Sequence, residues 1–379
     1  MTEAILLQIL KDYIHEKESK VCVTEALLEA AKRHQVEAIV FFQTKTVSLT
    51  KAYYAAVYYD KQRRNLQKEI KNLLTDKKIP FFFVKGLAIA DNYPMPALRT
   101  MGDIDLVVKD KENAKNLLTA VGYSFKEEEF NGWFNEWHFY KCGIEFELHD
   151  QLMYEHSFIT EEEVRYFNKC WEYVSNNELD WNYHFILLVA HLRKHLFRGV
   201  GFRQFLDIAI LIKNRRSLFN WLWIKNELNT LGLLDFTEIC FGLIKQWFEV
   251  EAPFDISSLD EKKVRIITKE IFDYGVFGDS SDSLEIRQGY SITKSSSRCY
   301  CYTVMLRILK KAFPPYEFMI RASEYNVLKG RRYLLPFFWF YRFIRNLFKP
   351  HKWRKLKGET YISQRQYYER NEKLKRWGL

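Results

Sequence analysis

The stretch Gly102-Asp103-Ile104-Asp105-Leu106-Val107-Val108 constrains this chain more than any other. Side chains along a strand alternate between its two faces. A strand over 103–108 therefore carries Ile104, Leu106 and Val108 on one face and Asp103 with Asp105 on the other. Ionised carboxylates at i and i+2 repel each other, and are tolerated when solvated or when a cation lies between them. Hard divalent ions such as Mg²⁺ (or Mn²⁺) prefer oxygen ligands, typically one or two carboxylates plus substrate phosphates. A solvated strand face is the plain alternative, and the motif by itself leaves it open.

The segment Ile144-Glu145-Phe146-Glu147-Leu148-His149 repeats the arrangement, with Glu145, Glu147 and His149 opposite Ile144, Phe146 and Leu148. If the two strands are neighbours, Glu147 adds a third carboxylate to Asp103 and Asp105 over a common apolar core. Three carboxylates around two ions suit in-line displacement at phosphorus. Upstream, Pro80 opens a short apolar run, Phe81-Phe82-Phe83-Val84, of the kind that forms a buried strand. Lys85-Gly86 ends it, ahead of a helical segment over 87–92. Glycine at such a turn lets the backbone approach a phosphate closely.

The surrounding pattern is helical. Residues 6–15, 24–34, a Tyr/Ala-rich stretch from Ala52, and 63–77 read as helices before the sheet. Asp110 caps a helix reaching Val121, with Gly122 as terminator. Strands over 137–141 and 144–149 form a hairpin through Cys142-Gly143. Further helices are expected over 182–196, 202–213, 221–228, 236–248 and 261–274, and a Ser/Asp-rich loop over 279–297. The fold class is α+β: a small mixed sheet flanked by N-terminal helices and a larger C-terminal helical region. The expected division is 1–60 helical, 61–155 α/β core, 156–332 helical and 333–379 a basic aromatic tail.

The net charge of +10 is unevenly placed. From Arg321 onward there are sixteen Lys/Arg against Glu324, Glu359, Glu369 and Glu372, a surplus of twelve that leaves the preceding chain at −2. Any anionic surface is therefore met by the C-terminal segment. Residues 333–348 mix Phe337, Phe338, Trp339, Phe340 and Phe343 with Arg342 and Arg345. A packed terminal helix is the default there; an interfacial membrane helix or a nucleic-acid contact are the alternatives. The six cysteines include no CxxC pair, which fits a reducing cytosol. The expected location is cytoplasmic, with a peripheral position at the inner membrane face as the variant the basic segment allows. His191 and His195, with His184 seven residues earlier, suggest a zinc set, but Leu192 stands where H-E-x-x-H needs glutamate. A helix face lining a cleft, or simply a satisfied helix face, is the simpler reading, and Arg193, Lys194, Arg198 and Arg203 could add positive potential towards phosphate.

Phe83-Val84-Lys85-Gly86, Tyr93-Pro94 through Arg99, the Gly102–Val108 block and Glu147-Leu148-His149 resemble an uncharacterised bacterial nucleotidyltransferase family of the DNA polymerase β-like superfamily. The likeness extends more loosely to His191, His195, Asp207, Phe313-Pro314 and Leu335-Pro336. It implies a minimal polymerase β-type sheet and transfer of a nucleoside monophosphate from a triphosphate such as ATP to a hydroxyl acceptor. Asp103, Asp105 and Glu147 would hold the metal and carry catalysis. Lys85, Gly86, Arg99 and Gly102 would meet the nucleotide, and His149, His191 and His195 would line the cleft. The superfamily usually has Gly-Ser or Gly-Gly where this chain has Lys85-Gly86-Leu87, and the spacing to Asp103 is longer than usual. The acceptor is not legible: a small molecule, a protein side chain and an RNA end all fit. A catalytically degenerate nucleotide- or RNA-binding module and a membrane-associated accessory protein are the rival readings.

Overall fold

A computed structural model describes residues 1–126, 137–153, 159–196, 199–278, 312–320, 323–347 and 364–379, with Met305 and Leu309. The N-terminal stripe forms α1 (Thr2–Ile14), which buries Leu6, Ile9, Leu10 and Tyr13. Thr24 caps α2 (Glu25–His34) by accepting from the Leu27 N–H. A further helix, α3 (Glu37–Thr44), follows outside the expected elements. The helical segments expected from Ala52 and over 63–77 are one helix, α4 (Thr50–Asp76), uninterrupted by Gly or Pro. Its first half packs Tyr53 and Ala56 on the main core, and its second half packs Leu66, Ile70 and Leu74 against the sheet. A boundary drawn at 60/61 thus crosses the middle of a single helix.

The sheet is built from β1 (Phe81–Val84), β2 (Asp105–Val108), β3 (Ser124–Lys126), β4 (Trp137–Lys141) and β5 (Ile144–His149). Its spatial order is β1-β2-β5-β4-β3. β2 lies antiparallel to β1 and parallel to β5; β4 is antiparallel to both β5 and β3. Between the strands lie α5 (Gly86–Ala90) and α6 (Lys111–Ala120), the latter capped by the Asp110 carboxylate on the Asn113 N–H. The hairpin forms as expected, with Cys142 at φ 52 and Gly143 at φ 75, a pair of positive angles that suits a tight two-residue turn.

The acidic strand begins at Asp105, not at Asp103 as the alternation predicts. Its partner β1 stops at Val84, opposite Asp105, because the chain turns away at Lys85 with φ 54. Residues 102–104 thus extend past the end of β1, although Ile104 still accepts from the Glu147 N–H at 2.9 Å.

The alternation itself holds across the sheet. Phe81, Ile104, Leu106, Val108, Ile144, Phe146 and Leu148 share one apolar cluster with α4 and α6. Phe82, Val84 and Val107 face the other way, into a larger cluster that joins α1–α3 to the C-terminal helices. Burying each such side chain contributes about 1.5–3 kcal/mol. The strand face that carries the carboxylates therefore looks towards helices rather than open water.

Those helices are α7 (Glu161–Phe167), α8 (Trp181–His195), α9 (Phe202–Arg215), α10 (Trp221–Thr230), α11 (Leu234–Phe248) and α12 (Glu261–Tyr274), with a small hairpin of β6 (Val174–Ser175) and β7 (Glu178–Leu179) before α8. The chain continues through α13 (Tyr316–Met319), α14 (Leu335–Leu347) and α15 (Gln364–Arg376). The expected loop over 279–297 lies outside the described residues. The end of the expected basic tail docks: Trp377 is fully buried against Phe205 and Phe236, and Arg376 bonds Glu270 at 3.0 Å. Among the described residues, no helix is long and apolar enough to cross a membrane.

Candidate active site

Parallel pairing of β2 with β5 sets Asp105 directly beside Glu147, and Val107 beside His149. Asp105, Glu147 and His149 consequently converge, each offering one ligand atom within 4.8 Å of the others; no second group of three or more is found among the described residues. His149 Nε2 lies 3.6 Å from an Asp105 oxygen and 3.4 Å from a Glu147 oxygen. Those are ion-pair separations, and this buried nitrogen has no hydrogen-bond partner. Lys85 reaches across from the end of β1 and donates from Nζ to Asp105 at 2.8 Å. Asp103 is outside the three-residue group yet close enough for its charge to be felt by it.

The electrostatics follow from enclosing three acids and two bases together. Burial, with Asp105 and Glu147 as like charges, pushes the Asp103 carboxyl up to about 7. Burial would also raise Asp105, but the Lys85 ammonium and His149 overcome it and hold it below the carboxylate range. Glu147 is likewise lowered against burial, by His149. Burial opposes charge on His149, while Asp105 and Glu147 outweigh it and raise the imidazole to about 9. Burial opposes charge on Lys85 too, and Asp105 again reverses the direction. The protein's own cations thus balance the carboxylates.

The Lys85–Gly86 turn is strained and tied down. Lys85 has φ 54 and ψ −131, and Gly86 has φ +33. A Cβ on Gly86 would meet only ordinary contacts, with Met101 Sδ at 3.7 Å and the Asp103 carbonyl at 3.9 Å, so the backbone angle rather than space favours glycine. The Lys85 N–H donates to His184 Nε2 at 2.9 Å. Burial, and then the Lys85 charge, drop the His184 imidazole to about 3, so it stays neutral and able to accept. In the sequence His184 stands out only for its spacing from His191; a neutral acceptor for a strained N–H has no sequence signature.

Arg99 sits elsewhere than expected. Its guanidinium makes a buried bidentate contact with Asp207 on α9, Nε at 2.7 Å and Nη2 at 2.9 Å, and Tyr93 donates to the same carboxylate at 2.6 Å. The fork expected to meet the triphosphate is engaged with an acid in this structure. Arg63 donates to the Met101 carbonyl at 2.6 Å, and Arg203 to that of Thr100. Both feel the charge of Asp103. Arg193 is bound to Glu163 rather than directed at the cluster, and Arg198 lies outside the described residues. Gly102 is exposed with open space at its Cβ position, so sterics do not demand glycine there. His191 and His195 face each other on α8, Nε2 to Nε2 at 3.1 Å, and His184 is taken by Lys85. The three histidines form no common ligand set. Glu145, one pleat from Glu147, is held by His138 at 2.8 Å and Tyr140 at 2.5 Å.

Paired carboxylates on adjacent strands, beside a strained lysine-glycine turn, are the features of an ion-dependent phosphoryl- or nucleotidyl-transfer site. The chain belongs to the family described as "Uncharacterised nucleotidyltransferase", which matches residues 23–249. Every residue of the cluster, the turn and the Arg99–Asp207 contact falls inside that span. No curated protein and no solved structure matches the chain.

Proposed function

We propose that this chain transfers a nucleoside monophosphate from a nucleoside triphosphate to a hydroxyl acceptor, using a divalent ion, Mg²⁺ or Mn²⁺, held by Asp105, Glu147 and Asp103. The observation that carries the proposal is the in-register pairing of Asp105 with Glu147, which aims two carboxylates and the His149 imidazole into one enclosure. That donor set fits a divalent ion: the carboxylates supply charge and oxygen ligands, and the His149 imidazole, which those acids favour in its protonated form, would supply an outer contact or, on losing its proton, a further ligand. Bound there, the ion would lower the pKa of the acceptor hydroxyl and neutralise charge on the departing pyrophosphate.

The protein groups act around it. Asp105 and Glu147, set side by side by the sheet register, would hold the ion. Asp103, whose carboxyl is pushed up to about 7 by burial and the neighbouring acids, would hold the ion in its ionised form. Lys85 exchanges Asp105 for the triphosphate, its ammonium being a mobile point charge at the end of a flexible stem. Gly86 leaves the turn without a side chain where the phosphates approach. Arg99 serves as a positioning residue, tying the segment ahead of Asp103 to α9 through Asp207. Arg63 and Arg203 add positive field beside Asp103. The α8–α12 layer shapes the acceptor side, and the acceptor is a small molecule, a protein side chain or an RNA end.

Purified protein incubated with α-phosphate-labelled triphosphates and Mg²⁺ or Mn²⁺ should transfer label to one of these acceptor classes. Asp103→Ala and Asp105→Ala should each abolish it. Transfer that survives Asp105→Ala would overturn the proposal. A second reading, a nucleotide- or RNA-binding module without turnover, draws on the internal balance of Lys85 and His149 against the acids. Thermal-shift measurements separate the two: the enzyme requires triphosphate stabilisation that depends on the divalent ion, whereas the binding module gives the same shift without it.

A further inference from the structure

Helix α14 presents an apolar stripe to solvent that the transferase site leaves unused. Phe337, Phe340, Tyr341 and Ile344 recur at i, i+3, i+4 and i+7, the spacing of one helix face. They are 65%, 63%, 47% and 40% exposed, and Tyr333, one turn earlier, is 77% exposed. The side of the helix next to the stripe is already occupied. Phe338 packs with Tyr325 beside Met319 and Leu328, Trp339 donates to the Pro314 carbonyl at 2.8 Å, and Arg345 donates to the Tyr325 hydroxyl at 3.1 Å. The helix is therefore anchored along one flank, and the stripe beside that flank is exposed. Exposed apolar stripes of this size are rare on soluble surfaces and mark contact with another phase or partner.

The charge that flanks this helix in the sequence points to the partner. Between Glu324 and Glu359 the sequence has no Asp or Glu and ten cations: Lys329, Arg331, Arg332, Arg342, Arg345, Lys349, Lys352, Arg354, Lys355 and Lys357. Lys329, Arg331 and Arg332 are exposed just ahead of the helix. Arg345, at the edge of the stripe, is turned away from it to the Tyr325 hydroxyl. Stacking on single-stranded nucleic acid interleaves rings and cations on one surface, whereas here the exposed apolar side chains run together and the exposed Lys329, Arg331 and Arg332 stand ahead of them. That is the layout of a helix lying in a membrane interface, with apolar side chains below the headgroups and cations among anionic lipids. At 13 residues, or about 20 Å, the helix is too short to span a hydrocarbon core of about 30 Å.

We propose that α14 docks the protein on anionic phospholipid bilayers, with Tyr333, Phe337, Phe340, Tyr341 and Ile344 inserted and the exposed Lys329, Arg331 and Arg332 against lipid phosphates. The proposal is independent of the transferase reading, because none of these residues touches the acidic cluster and the test needs no turnover. Flotation of the full chain should show binding to phosphatidylcholine vesicles that contain phosphatidylglycerol. Binding to phosphatidylcholine alone should be much weaker, and added salt should weaken the anionic binding. Phe337→Ser with Phe340→Ser should lower the anionic-vesicle affinity by about tenfold or more, since two inserted rings are lost. Both positions are exposed, so an unchanged thermal melt will verify that the fold survives. Absence of binding to the anionic vesicles, binding indifferent to the Phe337/Phe340 pair, or single-stranded RNA binding that depends on the same two rings while vesicles do not bind would each overturn the assignment.

Discussion

Replacing Asp207 by alanine tests how the approach to the acidic cluster is held. The Asp207 carboxylate, 6% exposed, accepts two bonds from Arg99 at 2.7 and 2.9 Å and one from Tyr93 at 2.6 Å. Arg99 is itself 7% exposed, so Asp207→Ala leaves a guanidinium buried without its counter-charge, in a pocket that Arg203 also enters. Breaking a buried pair from one side costs about 3–5 kcal/mol. Set against a total stability of about 5–15 kcal/mol, the loss is large. Denaturant unfolding should therefore show a midpoint shift equivalent to at least about 3 kcal/mol with the slope unchanged. Arg99→Met combined with Asp207→Leu removes both charges and should recover at least half of that, because the cost lies in the uncompensated ion rather than in the lost bonds. A loss below about 1 kcal/mol for Asp207→Ala, or a double variant as unstable as the two single changes added together, would refute the reasoning.

Other perturbations probe the cluster itself. His184→Ala leaves the Lys85 N–H unpaired in a strained turn and should cost about 1–3 kcal/mol by denaturant unfolding, so unchanged stability would contradict the role given to His184. In chelator-treated protein, His149 titrates at about 9 against an ordinary 6.5, so its stabilisation is complete below pH 6.5 and is lost as pH rises through 9. Unfolding at these two limits should differ by about 3 kcal/mol, and His149→Gln should flatten that slope; an equal slope in the variant would exclude His149 as its source. Lys85→Met removes the ammonium that competes for Asp105. Mn²⁺ should then bind about tenfold tighter or more while nucleotide transfer is lost, and weaker Mn²⁺ binding would count against the competition.

Much of the sheet is legible in the sequence because strands obey a two-residue period. That period alone sorts Ile104, Leu106 and Val108 against Asp105, and Ile144, Phe146 and Leu148 against Glu147 and His149. The Cys142-Gly143 turn sets the hairpin register in the same way. Alternation does not say where β1 ends, and that end is what leaves Asp103 outside the strand. Arg99 escapes a sequence reading for a related reason. A lone arginine near a motif looks available, and only the packing of α9 against the 93–99 segment reveals Asp207 as its partner. Sequence pattern makes His149 a cleft-lining residue, whereas parallel pairing brings it into the cluster. The continuity of α4 is hidden because its two halves bury different stripes in different cores.

Titration calorimetry with Mn²⁺ on the full chain, compared with Asp105→Asn and Glu147→Gln, bears most directly on the idea that β2 and β5 together build an ion site. The pairing of Asp105 with Glu147 predicts heat from a binding site in the wild type that either substitution removes while the thermal melt shows the fold intact. Mn²⁺ binding of equal strength in wild type and Glu147→Gln would contradict it.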